Sequence, residues 1–337
     1  MTAALAVRRR RAALGLAAAT AAMAALSLFS AVSSRGGDSA ERSGELVFPG
    51  FADRAAEWTA LRVRLADDAY MLERDGETWR LVEAGRHPVR PERMTELAQG
   101  LAELRWAEAK TTDPDKFDRL GLGDPAEGGA GAFIEASTAA GDVIGALITG
   151  RRTDRIYGRR PDETRAFRLR GDLPPLYTRS AWLDLKAVDM AASVVEAVRL
   201  TDEAGEELFL RRPLDRSDRA FRPGPPNDDD QLIDPLAANA AALALTRLAP
   251  IDVKPKDALA TTPVARHVTS TLDGLEVEAL AFREPDGLFI TLYAVEAGEG
   301  AVRASTINAK AEGWAYELSE RDWREFAAPV GTIVRRP

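Results

Sequence analysis

The pattern of apolar and polar residues is most regular between Leu61 and Leu122. From Leu61 to Leu65 apolar residues alternate with arginines, and this period of two is typical of a strand with one buried face. Short apolar stretches at 70–74 and 79–82 predict two more strands. The Asp75-Gly76 pair between them favours a hairpin, because glycine adopts a positive φ without strain.

The residues after Pro91 change to spacings of three and four. This spacing predicts a helix with one apolar face, formed by Met94, Leu97, Ala98, Leu101 and Leu104. Pro91 suits the first turn, where no backbone N–H is needed. We expect the apolar face to cover the sheet, and glycine and proline between 117 and 125 end the pattern.

Four more short strands are predicted, the first two as a hairpin around Gly141-Asp142: 133–137, 143–149, 156–157 and 166–169. Pro174-Pro175 is expected to begin a short helix that reaches Leu185. The segment from Leu46 to Trp58 is expected to pack against this first part of the chain. Trp79, Trp106, Trp182, Trp314 and Trp323 are interpreted as core residues between sheet and helix.

A second, diverged copy of the pattern begins near Val195. Val63-Arg64-Leu65 recurs as Val198-Arg199-Leu200, and the set Leu101, Leu104 and Lys110 recurs as Leu245, Leu248 and Lys254. The two offsets, 135 and 144, differ because of a longer loop at 222–234, where an insertion costs little.

The second helix is expected to start at the N-cap Asp234 and the first-turn Pro235. Its apolar face is predicted as Leu236, Ala240, Leu243 and Ala244. Strands are predicted at 275–282 and 288–295, and Ala315-Tyr316-Glu317-Leu318 mirrors Ala166-Phe167-Arg168-Leu169. The predicted fold class is therefore α+β, with two tandem related modules, each a mostly antiparallel sheet with a covering helix.

The first 34 residues differ in character from the rest. Arg8 to Arg11 precede an uncharged run from Ala12 to Ser34, which is long enough to cross a bilayer. By the positive-inside rule the arginines stay in the cytoplasm and the body faces the periplasm or exterior of the cytoplasmic membrane. A cleaved signal peptide is the alternative, with small residues at Ala31-Val32-Ser33. The expected organisation is a basic tail and single transmembrane helix at 1–34, a linker at 35–57, and modules at 58–190 and 191–337.

Several short motifs appear in a fixed order along the first module: Val47-Phe48-Pro49-Gly50, 75–81, Arg119-Leu120-Gly121-Leu122, Gly150 and Ile156-Tyr157-Gly158-Arg159. Together they resemble the bacterial family called domain of unknown function 4340. The resemblance covers Phe48 to Asp184 and reaches the remainder through the internal repeat. It implies an extracytoplasmic domain behind one membrane anchor, and some relatives are auxiliary components of ABC-type export or gliding-motility systems. It implies no catalytic residues.

Composition excludes several kinds of site and partner. The chain has no cysteine, so disulfides, thiolate metal sites and cysteine nucleophiles are excluded. The net charge is −8, and because residues 1–34 hold four arginines and no acid, the remainder carries −12. Such an acidic body is a poor partner for nucleic acid or anionic lipid, because like charges repel.

Candidate chemistry is sparse. His87 and His267 are the only histidines, and without ligand-spaced partners both are interpreted as loop or strand-edge residues rather than as parts of a zinc site or catalytic triad. Asp228-Asp229-Asp230 with Asp234 lacks the alternating ligands of a calcium loop and is interpreted as a solvated insertion. The sequence therefore predicts no catalytic, cofactor-binding or metal-ligating residue, and no cofactor.

A basic patch surrounds the predicted hairpin near 150: Arg151, Arg152, Arg155, Arg159 and Arg160. Such a patch could meet a phosphate, a lipid head group or an acidic partner. Solvated arginines paired with nearby acids are the favoured interpretation.

The sequence is compatible with three functions. The leading one is a non-enzymatic interaction or accessory subunit of an envelope assembly, such as an ABC-type export system, with the membrane and another protein as partners. The second is a periplasmic binding module for a small envelope ligand. The third is a hydrolase with a dispersed site.

Overall fold

The computed structural model describes residues 42–213, 220–295 and 300–337. It is an α+β protein with mostly antiparallel sheets, in agreement with the predicted fold class. The predicted transmembrane helix and basic tail at 1–34 lie outside the described residues. Within those residues no helix is both long enough and apolar enough to cross a membrane.

The strands of the first half are β1 (Trp58–Arg64), β2 (Ala69–Asp75), β3 (Thr78–Leu81), β4 (His87–Pro88), β5 (Arg105–Thr111), β6 (Ala132–Thr138), β7 (Val143–Arg152), β8 (Arg155–Arg159) and β9 (Ala166–Arg170). Those of the second half are β10 (Val195–Thr201), β11 (Glu207–Arg211), β12 (Arg222–Pro223), β13 (Gln231–Leu232), β14 (Asp252–Pro255), β15 (Ala265–Thr271), β16 (Glu276–Glu284), β17 (Gly287–Val295), β18 (Trp314–Leu318) and β19 (Val334–Arg335).

The α-helices are α1 (Phe51–Arg54), α2 (Pro91–Glu103), α3 (Phe117–Leu120), α4 (Pro235–Ala242), α5 (Ala301–Ala311), α6 (Glu320–Phe326) and α7 (Val330–Ile333). Helix α2 and strands β1–β3 and β6–β9 confirm the elements predicted for the first half. The hairpin glycines Gly76 and Gly141 have φ of +63° and +88°, as their turns require.

The two large sheets follow the same strand order. One has the order β4-β3-β2-β1-β6-β7-β8-β9-β5, and the other has β12-β11-β10-β15-β16-β17-β18-β14. When β4 is left out, adding nine to each strand number of the first order gives the second. A small third sheet pairs β13 with β19.

The chain divides into two compact units. Among the described residues, the first contains 42–58, 63–68 and 99–173, and the second contains 59–62, 69–98, 174–213, 220–295 and 300–337. Strand β1 and helix α2 therefore contribute residues to both units.

The first unit is built around Phe117, Leu122, Ile148, Tyr157 and Ala166, all buried. A Cβ at Gly150 would lie 2.1 Å from the carbonyl oxygen of Gly121, so these two backbones touch with no room for a side chain. Residues 44–47 pair with the outer edge of β5, where Val47 N–H donates to Leu104 O at 2.7 Å. This pairing confirms that the segment before β1 packs back on the first part of the chain.

The second unit joins strands of the two large sheets. The imidazole of His87 on β4 meets the edge of the Trp314 ring on β18 at 4.6 Å between centroids. The guanidinium of Arg179 holds Asp252 on β14 at 3.0 Å. A Cβ at Gly85 would lie 2.3 Å from the Pro255 ring, so the β3–β4 turn fits closely against β14.

Two helix predictions were wrong. Pro174-Pro175 starts no α-helix; the structure has only a 3₁₀ turn at Arg179–Trp182, because the residue before a proline is forced toward an extended conformation. Helix α4 starts at its predicted cap, with Asp234 Oδ1 accepting from Leu236 and Ala237 N–H, but its buried residues are Ala238, Ala241 and Ala242. Of the predicted face, Leu236 is 80% exposed, whereas Ala244, in the 3₁₀ turn after the helix, is buried.

Candidate functional site

The structure divides the predicted basic patch into two groups. Arg159 is buried and its Nε donates to the carbonyl oxygen of Leu122 at 3.2 Å, with its guanidinium over the Phe117 ring. Arg160 donates to the carbonyl oxygen of Val47. Burial lowers the pKa of both guanidinium groups. These two arginines stabilise the fold and do not belong to an exposed site.

Arg151, Arg152 and Arg155 remain at the surface at the β7–β8 hairpin. Arg151 Nη2 lies 2.9 Å from Asp172 Oδ1, and this hydrogen bond lowers the pKa of the Asp172 carboxyl. Arg152 Nη2 donates to the carbonyl oxygen of Asp118 at 2.7 Å, a neutral acceptor. The favoured interpretation, arginine paired with a nearby acid, therefore holds for Arg151 and fails for Arg152.

Four arginines lie at the same end of four neighbouring strands of the first sheet. Arg152 pairs with Arg155 between β7 and β8, and Arg105 pairs with Arg170 between β5 and β9. Between β8 and β9, Tyr157 pairs with Arg168 and Gly158 with Phe167; Arg155 and Arg170 lie two residues beyond this paired region, at the same end of the two strands. Directly opposite residues of an antiparallel pair share one face. We call this set, Arg105, Arg170, Arg155 and Arg152, the arginine row.

The arginine row carries positive charge that is not neutralised. Arg105 donates to the carbonyl oxygen of Gly44 at 2.7 Å, which supplies no negative charge. Among the described residues, Arg155 and Arg170 form no ion pair or side-chain hydrogen bond, and both are exposed. Like charges directly opposite one another destabilise a sheet. A bound anion would relieve this repulsion.

A cleft of about 440 Å³ opens beside the centre of the arginine row. Its charged lining comprises Arg151, Arg155, Arg168, Arg170, Asp154 and Asp172. Four arginines against two aspartates leave the lining positive. Arg168 is itself held by Glu108 at 3.3 Å, so Arg155 and Arg170 are the cations of the cleft that face no acid within ion-pair distance among the described residues.

The turn beside the cleft is strained. Thr153, between β7 and β8, has φ of +58°, a conformation that a β-branched residue rarely adopts. Such strain often accompanies sites whose geometry is held for function. The turn holds Arg152 and Arg155 opposite one another on one face.

Sequence reasoning missed Arg105, Arg168 and Arg170. The alternation of arginine with buried residues in Ala166-Phe167-Arg168-Leu169-Arg170 was available as a signal. No such signal predicts the pairing of β9 with both β8 and β5, because tertiary packing sets the register between distant segments.

The histidines and the acidic loop lie elsewhere. His87 is on the outermost strand β4, as expected of a strand-edge residue, although it is buried. The prediction for His267 was wrong: it lies inside β15 and is fully buried, with Nε2 3.0 Å from the carbonyl oxygen of Ala241. In the loop at 222–234, Asp230 lies 3.1 Å from Asn227 Nδ2. In the part of the chain that the structure describes, no group of three or more histidines and acids could hold a metal ion.

Comparison with known families adds one finding. The model of a family described as a domain of unknown function, DUF4340, matches residues 79–288, more than half of the chain. The match begins at residue 79 and so omits 48–78 of the resemblance, but it continues past 184, and it includes β7, β8 and β9. No curated protein matches the chain.

Proposed function

We propose a binding function for this chain, which belongs to the family of the domain of unknown function DUF4340. In this proposal the chain is a non-enzymatic interaction protein that receives an anionic group of its partner at the arginine row. The observation that carries the proposal is the exposed pair Arg155 and Arg170, which line one cleft and have no acid within ion-pair distance among the described residues. Arginine suits this role because its planar fork of donors matches oxygen anions.

We further propose that the protein is an accessory subunit of an envelope assembly such as an ABC-type export system. A single helix within 12–34 would hold it in the cytoplasmic membrane, with the body facing the periplasm or exterior. Arg8 to Arg11 and the uncharged run after them support this orientation. The family resemblance supports the link to export.

Two tandem related modules are also part of the proposal. The identical strand orders of the two large sheets support them. Pairing supports them residue by residue: Glu108 pairs with Arg168, and their counterparts in the repeat, Asp252 and Glu317, pair with each other. The predicted boundaries at 58–190 and 191–337 remain predictions.

A small-ligand binding module is the second candidate function. The cleft of about 440 Å³ favours it, because sites of this volume hold small organic ligands. The two candidates differ in what fills the same site, a partner's anionic group or a free ligand.

In-cell crosslinking of the tagged full-length protein, followed by purification in mild detergent and mass spectrometry, tests the interaction. We expect a transporter permease and its ATPase in stoichiometric amounts with the wild type. We expect both to be lost with the double variant Arg155→Glu and Arg170→Glu, because charge reversal makes the site repel an anion.

Arg321→Glu is the matched control, since Arg321 is another exposed arginine without a side-chain partner among the described residues. It should recover the same proteins as the wild type. Recovery of the wild-type protein alone, while a control complex crosslinks efficiently, would overturn the accessory role. Equal recovery with wild type and double variant would remove the arginine row from it.

A further inference from the structure

We infer that the anionic group recognised at the arginine row is a phosphate monoester, held between Arg155 and Arg170. This inference rests on the proposed binding function and adds the chemical class of the ligand. It concerns the centre of the arginine row, where two guanidinium groups on adjacent strands have no ion-pair partner in the part of the chain that the structure describes.

The number of donors and charges distinguishes the candidate anions. Each guanidinium presents five N–H donors in a planar fork and has no acceptor. A carboxylate offers two oxygens and one negative charge, which one fork satisfies. A phosphate monoester offers three terminal oxygens and a charge between −1.5 and −2 at neutral pH, which matches two forks and two positive charges.

The position of the two arginines agrees with bridging by one ligand. Arg155 and Arg170 line the same cleft, at the ends of the neighbouring strands β8 and β9 that lie beyond their paired region. Two long side chains that line one cleft can converge on a single tetrahedral group. The flanking Arg105 and Arg152 keep their charges because each donates only to a backbone carbonyl.

The other cations of the cleft are already engaged. Arg151 is paired with Asp172, and Arg168 with Glu108. They line the cleft, but their guanidinium groups are already bound to acids. The cleft of about 440 Å³ is larger than a phosphate group needs, and the remaining space would take the organic part of the ester.

Calorimetric titration of the full-length protein in mild detergent at constant ionic strength tests the inference. The probes are glycerol 3-phosphate, its choline diester and acetate. We expect the monoester to bind at least about tenfold more tightly than the diester or acetate, because only the monoester supplies the second charge and third oxygen.

Variants locate the site. Arg155→Gln and Arg170→Gln should each weaken monoester binding about tenfold, whereas Arg321→Gln should leave it unchanged. Arg155→Lys should recover only part of the loss, because lysine restores charge and not the planar fork. Unchanged melting temperatures would show that the variants are folded. Equal affinity for monoester and acetate, or wild-type affinity in both glutamine variants, would overturn the inference.

A short-chain phosphatidic acid, used below its micelle concentration, separates the two sources of this group. If it binds as tightly as glycerol 3-phosphate, the group belongs to a lipid head; if acyl chains abolish binding, the ligand is a soluble ester. Failure of the inference is distinguishable from failure of the proposed function. If phosphate does not bind but charge reversal of Arg155 and Arg170 still abolishes partner recovery, the inference fails and the proposed function stands. If phosphate binds but charge reversal leaves partner recovery unchanged, the inference stands and the proposed role of the arginine row in partner binding fails.

Discussion

Glu317 is a single residue whose charge distinguishes the two halves of the chain. Its counterpart in the proposed repeat, Arg168, neutralises Glu108 on the neighbouring strand. Glu317 instead faces Asp252, and Arg179 from another segment holds that aspartate. Partial burial, followed by the nearby Asp252 and Asp286, raises the pKa of the Glu317 carboxyl.

Replacing Glu317 with glutamine should stabilise the protein at pH 7. A raised pKa means that the folded state favours the protonated carboxyl, so the ionised form lowers the free energy of unfolding at neutral pH. We expect Glu317→Gln to gain about 0.5 kcal/mol in urea unfolding, a small value because solvent screens the charge. The stability gain of Glu317→Gln should shrink at pH 4, which is below the ordinary pKa of glutamate, because the carboxyl is then mostly protonated in the unfolded chain as well.

The exposed Glu77 provides a control, since Glu77→Gln removes a charge from a turn and should change stability little. A loss of stability in Glu317→Gln at pH 7 would show that Glu317 makes a favourable charge interaction instead.

At the scale of elements, the β3–β4 turn packs closely against β14 because Gly85 has no side chain. We expect Gly85→Ala to destabilise the protein by about 1–3 kcal/mol more than Gly76→Ala. Both glycines have φ near +65°, but a Cβ at Gly76 would meet nothing within 4 Å, whereas one at Gly85 would collide with the Pro255 ring. Because both glycines have a positive φ, the difference between the two stability losses in urea unfolding measures the effect of the collision alone. Equal losses would mean that the turn moves away at no cost.

Sequence pattern located most strands because their buried faces are apolar, as in β1 and β17. It missed β15, whose buried positions include His267, Thr269 and Thr271, so apolar alternation is absent. It also missed α5, which is anchored by the side-chain amide of Asn308 bonding to both backbone groups of Ala294. In α4 the many alanines are apolar on every side of the helix, so the sequence does not define the buried face. Tertiary packing determines which face is buried.

The candidate site was only partly predictable for a related reason. Arg151, Arg152 and Arg155 are close in sequence and were identified together. Arg105 and Arg170 join them through strand pairing over long separations. For Arg159, pairing with an acid is confirmed by Asp124 at 4.0 Å, but solvation is wrong for it. Charge alone does not reveal that the guanidinium groups of Arg159 and Arg160 bond to carbonyls and cover aromatic rings.

At the scale of the whole molecule, stability should fall as the solution is acidified from pH 6.5 to 4. Burial lowers the pKa of His267 to about 4 from 6.5. The folded state therefore favours neutral imidazole, while the unfolded chain takes up the proton below pH 6.5. The loss from His267 alone should reach about 3 kcal/mol, and His87, whose pKa burial also lowers, adds to it.

Urea unfolding at pH 7, 6 and 5 measures this dependence. In His267→Gln the fall should be shallower by up to about 1.4 kcal/mol per pH unit. The lowered carboxyl pKa of Glu284, about 2, contributes only at lower pH, since its stabilisation is lost below 4.5. Identical slopes in wild type and variant would assign the acid sensitivity to other groups.

The contact between Gly121 and Gly150 has a consequence for descent within the family. Both glycines belong to the short motifs by which the chain resembles its relatives, and a Cβ at Gly150 would lie 2.1 Å from the backbone carbonyl oxygen of Gly121. A side chain at Gly150 would therefore push apart α3 and β7 whatever the rest of the molecule binds. We expect the pair to persist in lineages whose arginine row has changed. The motif then records common ancestry of the scaffold, and the surface records what each lineage came to recognise.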